Sequence, residues 1–200
     1  MAATEPEAKA RTKVSVRALV TLGLVALVVY SLDQIAKYFI VNTMTEGDEV
    51  KVLGEFLQFH FVKNSGAAFS FASGSTWIFS IAASAVTIFI LLFAKRIRSF
   101  GWALLFGMLL GGTMGNLSDR LFRAPGFGVG HVVDFIQVYG FPAIFNIADS
   151  FIVVSMGLFI ILTLRGVALD GRTSVKKSVH GASEPDSAED LAENRTPESR

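Results

Sequence analysis

Four long apolar stretches separated by polar ones dominate the chain. Residues 18–41, 75–94, 100–118 and 146–165 are each long and apolar enough to cross ~30 Å of hydrocarbon as a helix. Between the first two, residues 42–74 carry Glu46, Asp48, Lys51, Glu55 and Lys63, and Leu57-Gln58-Phe59-His60-Phe61 alternates apolar with polar. That alternation predicts a short strand with one buried face. Residues 119–145 contain Gly and Pro yet hold Phe122, Phe127, Phe135, Ile136, Phe141 and Ile144, and are read as a loop lying at the membrane interface. The polar stretch 1–17 is expected to be a tail, and 167–200, of mixed sign and rich in Ser and Glu, a disordered one. The pattern predicts an all-α integral membrane protein: four transmembrane helices, a small extracytoplasmic β element and an interfacial loop.

Composition sharpens this picture. A hydrophobic content of 52% and mean hydropathy of +0.51 are too apolar for an ordinary soluble domain. The net charge is +1 with no basic stripe, so no nucleic-acid partner is expected. With no cysteine there is no disulfide, thiol nucleophile or Cys-based metal site. His60, His131 and His180 fit no ligand spacing, and neither metal nor other cofactor is expected. A basic segment precedes the first apolar stretch, but no A-x-A-like site follows and Asp33 and Lys37 stand where cleavage would fall, so that stretch is read as a retained helix. Arg11, Lys13 and Arg17, then Lys95, Arg96 and Arg98, then Arg165, Arg172, Lys176 and Lys177 flank the helices on one side, which makes both termini cytoplasmic by the positive-inside rule.

With that topology, every polar cluster falls at the outer ends of the helices. Asp33 and Lys37 stand at i and i+4 in the orientation of an ion pair, or alternatively snorkel at the interface. Asn64 and Gly66 lie in the turn-forming string Lys63-Asn64-Ser65-Gly66-Ala67-Ala68-Phe69-Ser70. Gly111, Gly112 and Gly115 mark a helix-packing face and lead into Asn116-Leu117-Ser118-Asp119-Arg120, where Arg120 is expected to pair with Asp119 or a neighbouring carboxylate. Asn146 is an expected N-cap with Asp149 at N3, where the positive helix end favours an ionised carboxylate. Asp134 lies 15 residues upstream, with Gly140 and Pro142 between to reverse the chain. Two carboxyls brought together cannot both ionise cheaply, which supplies an acid and a base from one residue type. Asn64, Asn116 and Asn146 are candidate donors to carboxylates or to a substrate backbone. The rival reading is a proton-coupled transporter component using Asp33, Asp119, Asp134 and Asp149 as a relay, though a relay would thread acids through the bilayer instead of gathering them at one face.

Five strings together carry a resemblance: Asp33-Gln34-Ile35-Ala36-Lys37, Asn64-Ser65-Gly66-Ala67-Ala68-Phe69-Ser70, Gly112-Thr113-Met114-Gly115-Asn116-Leu117-Ser118-Asp119-Arg120, Val132-Val133-Asp134-Phe135 and Phe145-Asn146-Ile147-Ala148-Asp149-Ser150. In order and spacing they resemble the successive motifs of the lipoprotein signal peptidase, or signal peptidase II, family. The resemblance implies a bacterial inner-membrane aspartic endopeptidase that cleaves prolipoproteins before a diacylglyceryl-modified cysteine. It implies Asp134 and Asp149 as the catalytic pair, with Asp33, Lys37, Asn64, Gly66, Asn116, Asp119, Arg120 and Asn146 supporting the site or contacting substrate. Expected partners are prolipoproteins and membrane lipid, with the protein acting as a monomer. The strand near residues 57–61, beside Asn64, is expected to help clamp the substrate.

Overall fold

The computed structural model describes residues 14–66 and 76–172. Residues 67–70 of the second motif, together with the outer parts of both expected tails, lie outside the described residues. Helix α1 (Val16–Thr43) starts two residues earlier than expected because the Ser15 side chain accepts the Ala18 N–H as an N-cap. Helices α2 (Thr76–Phe93), α3 (Phe100–Phe122) and α4 (Ile147–Leu164) follow, a single 3₁₀ turn (Ala94–Arg96) closing α2. All four are long and apolar enough to span a membrane.

α3 is the central helix, packed against α1, α2 and α4, and most of its surface is buried. Its glycines make this possible. A Cβ at Gly111 would lie 2.6 Å from the Ala26 carbonyl oxygen of α1, and one at Gly112 2.6 Å from the Ala148 carbonyl oxygen of α4. Close backbone approach of this kind is how helices associate in lipid, where apolar burial gives no driving force.

Between α1 and α2 lies an antiparallel hairpin of β1 (Glu49–Leu53) and β2 (Leu57–Asn64), and β3 (Val132–Val138) joins β2 to give the order β1-β2-β3. The expected strand is thus the middle of a three-stranded sheet. The expected interfacial loop is shorter than 119–145, because α3 runs on to Phe122 and β3 occupies 132–138. β3 escaped the alternation test because its first four residues, Val132 to Phe135, are all buried. Phe59 and Phe61 of β2 and Val133 and Phe135 of β3 pack with Ile40 of α1 and with its C-cap Met44, fastening the sheet to the end of that helix.

At the opposite end of the bundle, Val167 to Arg172 fold back instead of starting the expected disordered tail. Leu169 O accepts the N–H groups of Arg98 and Ser99, and Val167 O accepts the Trp102 indole N–H at 2.9 Å.

Candidate active site

The polar clusters meet at one end of the bundle, formed by the C-terminal ends of α1 and α3, the N-terminal ends of α2 and α4, and the sheet. Lys37 sits at its centre, wholly buried with Asp33. Its ammonium donates to Asp33 Oδ2 at 2.8 Å, Asp119 Oδ2 at 2.8 Å and Asn116 Oδ1 at 3.0 Å. Three donors meet three acceptors, which is what a buried ammonium requires. The snorkelling alternative for this pair is therefore excluded. Asp33 Oδ1 accepts the Ala148 N–H at 2.9 Å, so α1 caps the first turn of α4, and Gln34 Nε2 ties Asp33 Oδ2 to Gly115 O at 3.1 Å each. Only glycine fits at 115, since a Cβ there would lie 2.5 Å from Asp33 Oδ2.

Asp134 comes from the sheet and Asp149 from α4. Asn64 pairs with Val132 and Asp134 lies two residues further along β3, so both side chains emerge on one face as diagonal neighbours. Asn64 Nδ2 donates to Asp134 Oδ2 at 2.7 Å, while Asn64 Oδ1 accepts the Gly66 N–H at 2.7 Å. Gly66 has φ +91°, and a Cβ there would strike the Phe79 ring at 2.6 Å, so both conformation and space call for glycine. Asn146 then joins the two acids. Its Nδ2 donates to Asp134 Oδ1 at 2.6 Å, its Oδ1 accepts the Asp149 N–H at 2.9 Å, and its own N–H donates to Asp149 Oδ2 at 3.2 Å, completing a capping box. Asn116 Nδ2 donates to Asp149 Oδ1 at 2.7 Å. All three asparagines thus reach the carboxyls, as their placement in the sequence suggested.

Burial pushes the Asp134 carboxyl up to about 6; hydrogen bonds from Asn64 and Asn146 oppose this and the neighbouring Asp149 charge adds to it. Around the pair, the carboxyls of Asp33, Asp119, Asp134 and Asp149 face the cations of Lys37, Arg120 and Arg123. One proton among the four acids would leave the cluster neutral.

Arg120 departs from expectation. Asp119 is held by Lys37, by Arg123 Nε at 2.5 Å and by the Val133 N–H at 3.2 Å, and not by Arg120. The Arg120 guanidinium instead lies over the Phe79 ring, 5.1 Å from its centroid, with Nη1 buried and without a partner among the described residues. It still faces the charges of Asp134, Asp119 and Asp149.

A family model described as signal peptidase (SPase) II matches residues 25–165, which contain every one of these side chains. The chain belongs to the signal peptidase II family. It is therefore a peptidase, and with its four apolar helices a multi-pass membrane protein. A lipoprotein signal peptidase of Leifsonia xyli subsp. xyli is 63% identical over 162 residues, covering 81% of this chain and 75% of its own. Another of Streptomyces coelicolor is 43% identical over 155 residues, covering 78% and 76%. A bacterial membrane enzyme solved by the in meso method at 2.3 Å superposes with a TM-score of 0.66 at 32% identity, covering 82% of this chain and 98% of that one.

Four contributors to this cluster are not singled out by sequence reasoning: Gln34 and the Val133 N–H, which lie inside the quoted strings, and Phe79 and Arg123, which lie outside them. Arg123 was within reach of pattern reading, because a helix continued past Ser118 sets it at i+4 from Asp119. Phe79 carried no signal, being one apolar residue among many in α2.

Proposed function

We propose that this peptidase is an aspartic endopeptidase in which Asp134 and Asp149 share a proton and activate water. The observation that carries the reading is Asn146, which holds both carboxyls at once through its side chain and backbone. In this mechanism Asp149, fixed by Asn116 and the capping box, takes a proton from the attacking water. Asp134 keeps the shared proton, polarises the scissile carbonyl and later protonates the leaving amine. Deep burial and two amide donors orient Asp134 for that exchange. Arg120 Nη1 is a buried donor without an acceptor among the described residues, and a substrate backbone carbonyl would supply one. Asp33, Lys37, Asn116 and Asp119 form the scaffold beneath, and Asn64 and Gly66 set the edge next to Arg120.

The substrate we assign is a diacylglyceryl-modified prolipoprotein, cut before the lipidated cysteine. Supporting this are the family, the lipoprotein signal peptidases to which the chain is similar, and a site at the ends of apolar helices, where a lipid-anchored peptide and water can meet. The sheet, carrying Asn64 and Asp134, would clamp the extended peptide. Lys95, Arg96 and Arg98 lie at the bundle end away from the site, which supports a site at the outer face of the cytoplasmic membrane with both termini inside. The proton-relay reading is not favoured, since the four acids form one cluster at a single end.

The test is cleavage of a diacylglyceryl-modified prolipoprotein by purified protein in detergent. Asp134→Asn and Asp149→Asn, each verified as folded, are expected to lose about 10³-fold or more in rate. Either variant staying near wild-type activity would remove it from the chemistry. No cleavage by folded wild type would overturn the substrate assignment.

A further inference from the structure

Helix α2 is largely exposed, yet its first turns are pinned on two sides. Of its residues only Thr76, Ser80 and Ile90 are buried, and two of those three are polar. Thr76 Oγ1 donates to Ser65 O at 2.9 Å, next to Gly66, and Ser80 Oγ donates to Gly128 O at 2.6 Å on the loop leaving α3. A serine within a helix commonly turns back on its own helix, as Ser84 Oγ does to Ser80 O at 2.7 Å. Thr76 and Ser80 reach outward instead, and in lipid, where apolar burial does not draw helices together, such hydrogen bonds dock them. The loop holding Gly128 is itself tied to α3, since the Gly130 N–H donates to Arg120 O at 2.9 Å. Phe79 lies between the two pins. The Arg120 guanidinium lies over its ring, 5.1 Å from the centroid, and a Cβ at Gly66 would fall 2.6 Å from that ring and 3.5 Å from Arg120 Nη2.

Arg120 depends on this support because no carboxylate holds it. The acids around it, Asp119, Asp134 and Asp149, are already met by other donors, and among the described residues none forms an ion pair with Arg120. A carboxylate in the usual fork would take two of the five guanidinium N–H groups and cancel the charge. A ring face attracts the same cation without taking an N–H, which leaves the buried Nη1 its donors. We propose that Phe79 is a positioning residue, whose ring holds the Arg120 guanidinium beside the carboxyl pair with its charge and its N–H groups uncommitted until a substrate carbonyl enters. This rests on the reading of Arg120 as a donor to the substrate backbone and adds to it the group that keeps the donor aimed. A backbone carbonyl is bound in the ground state and the transition state alike, so disturbing Phe79 acts on KM.

The test replaces Phe79 of the full chain in turn with mono-, di- and trifluorinated phenylalanine, which weaken the negative ring face stepwise while the shape stays nearly constant. Cleavage of a diacylglyceryl-modified prolipoprotein in detergent is then followed as separate kcat and KM values. KM is expected to rise at each step, by about tenfold across the series, with kcat within about twofold of wild type. A purely structural role for Phe79 would not grade with fluorination. The same series at Phe100, which is exposed at the opposite end of the bundle, should leave KM unchanged. A flat series at Phe79, an equal rise at Phe100, or a loss confined to kcat overturns the proposal and leaves the peptidase reading in place. Wild type that cleaves no such substrate defeats the peptidase reading, and the role of Phe79 with it.

Discussion

Asp134 is an acid whose surroundings pull in opposite directions. Burial raises it to about 6 and the Asp149 charge adds to this, while the N–H groups of Asn64 and Asn146 favour its ionised form. If Asp134 acts as the proton donor, activity of the free enzyme falls as pH rises through about 6, because the proton is lost there. Asn64→Leu removes one donor to the carboxylate, so Asp134 should hold its proton to higher pH. The alkaline limb of the kcat/KM profile is then expected to move up by about one pH unit, whatever the fall in the plateau. A limb that stays in place or moves down would assign the acid role elsewhere. Arg120 shows the limit of pair-by-pair reading: its sequence neighbour Asp119 was the natural partner, yet adjacent residues on a helix point about 100° apart. Asp119 turns to Lys37 and Arg123, and Arg120 turns to Phe79.

The elements act as rigid carriers whose contacts set the positions of these side chains. α1 brings Asp33 and Lys37, α3 brings Asn116, Asp119 and Arg120, and the glycines between them fix how close the two helices come. Gly111→Leu would force α1 away, because even its Cβ meets the Ala26 carbonyl oxygen at 2.6 Å. The expected result is a loss of about 2 kcal/mol, or a ~5 °C lower unfolding midpoint in detergent, with cleavage lost as Lys37 parts from Asn116. Gly157→Leu on α4, where nothing lies within 4 Å of the added Cβ, should change neither. Equal effects of the two would show that glycine content, not the α1–α3 contact, matters. The helices were legible because a membrane-length apolar run has few other solutions, and the strand at 57–61 because Leu57, Phe59 and Phe61 alternate with Gln58 and His60. β3 was not legible, since burial on both faces erases the period of two.

For the molecule as a whole, function depends on orientation in the bilayer. The chain has no cysteine, so single cysteines report sidedness without interference. Lys51→Cys in β1 is expected to react with a membrane-impermeant maleimide in intact cells, and Lys95→Cys only after lysis. The reverse pattern would place the site inside the cell and overturn the assignment to lipidated exported substrates. The membrane class, the four helices and the gathering of polar motifs at one end could all be read from the order of residues, because hydrocarbon thickness and the distribution of basic residues act on the linear chain. That Asp134 and Asp149 share Asn146, that Lys37 binds two aspartates and that Arg120 Nη1 finds no partner among the described residues follow from folding. The capping of Asp149 by Asn146 and the Asp33–Lys37 pair are local, but the rest join distant residues, as Lys37 with Asp119 and Phe79 with Arg120, and their geometry is set by helix contacts and strand register, which local sequence does not encode.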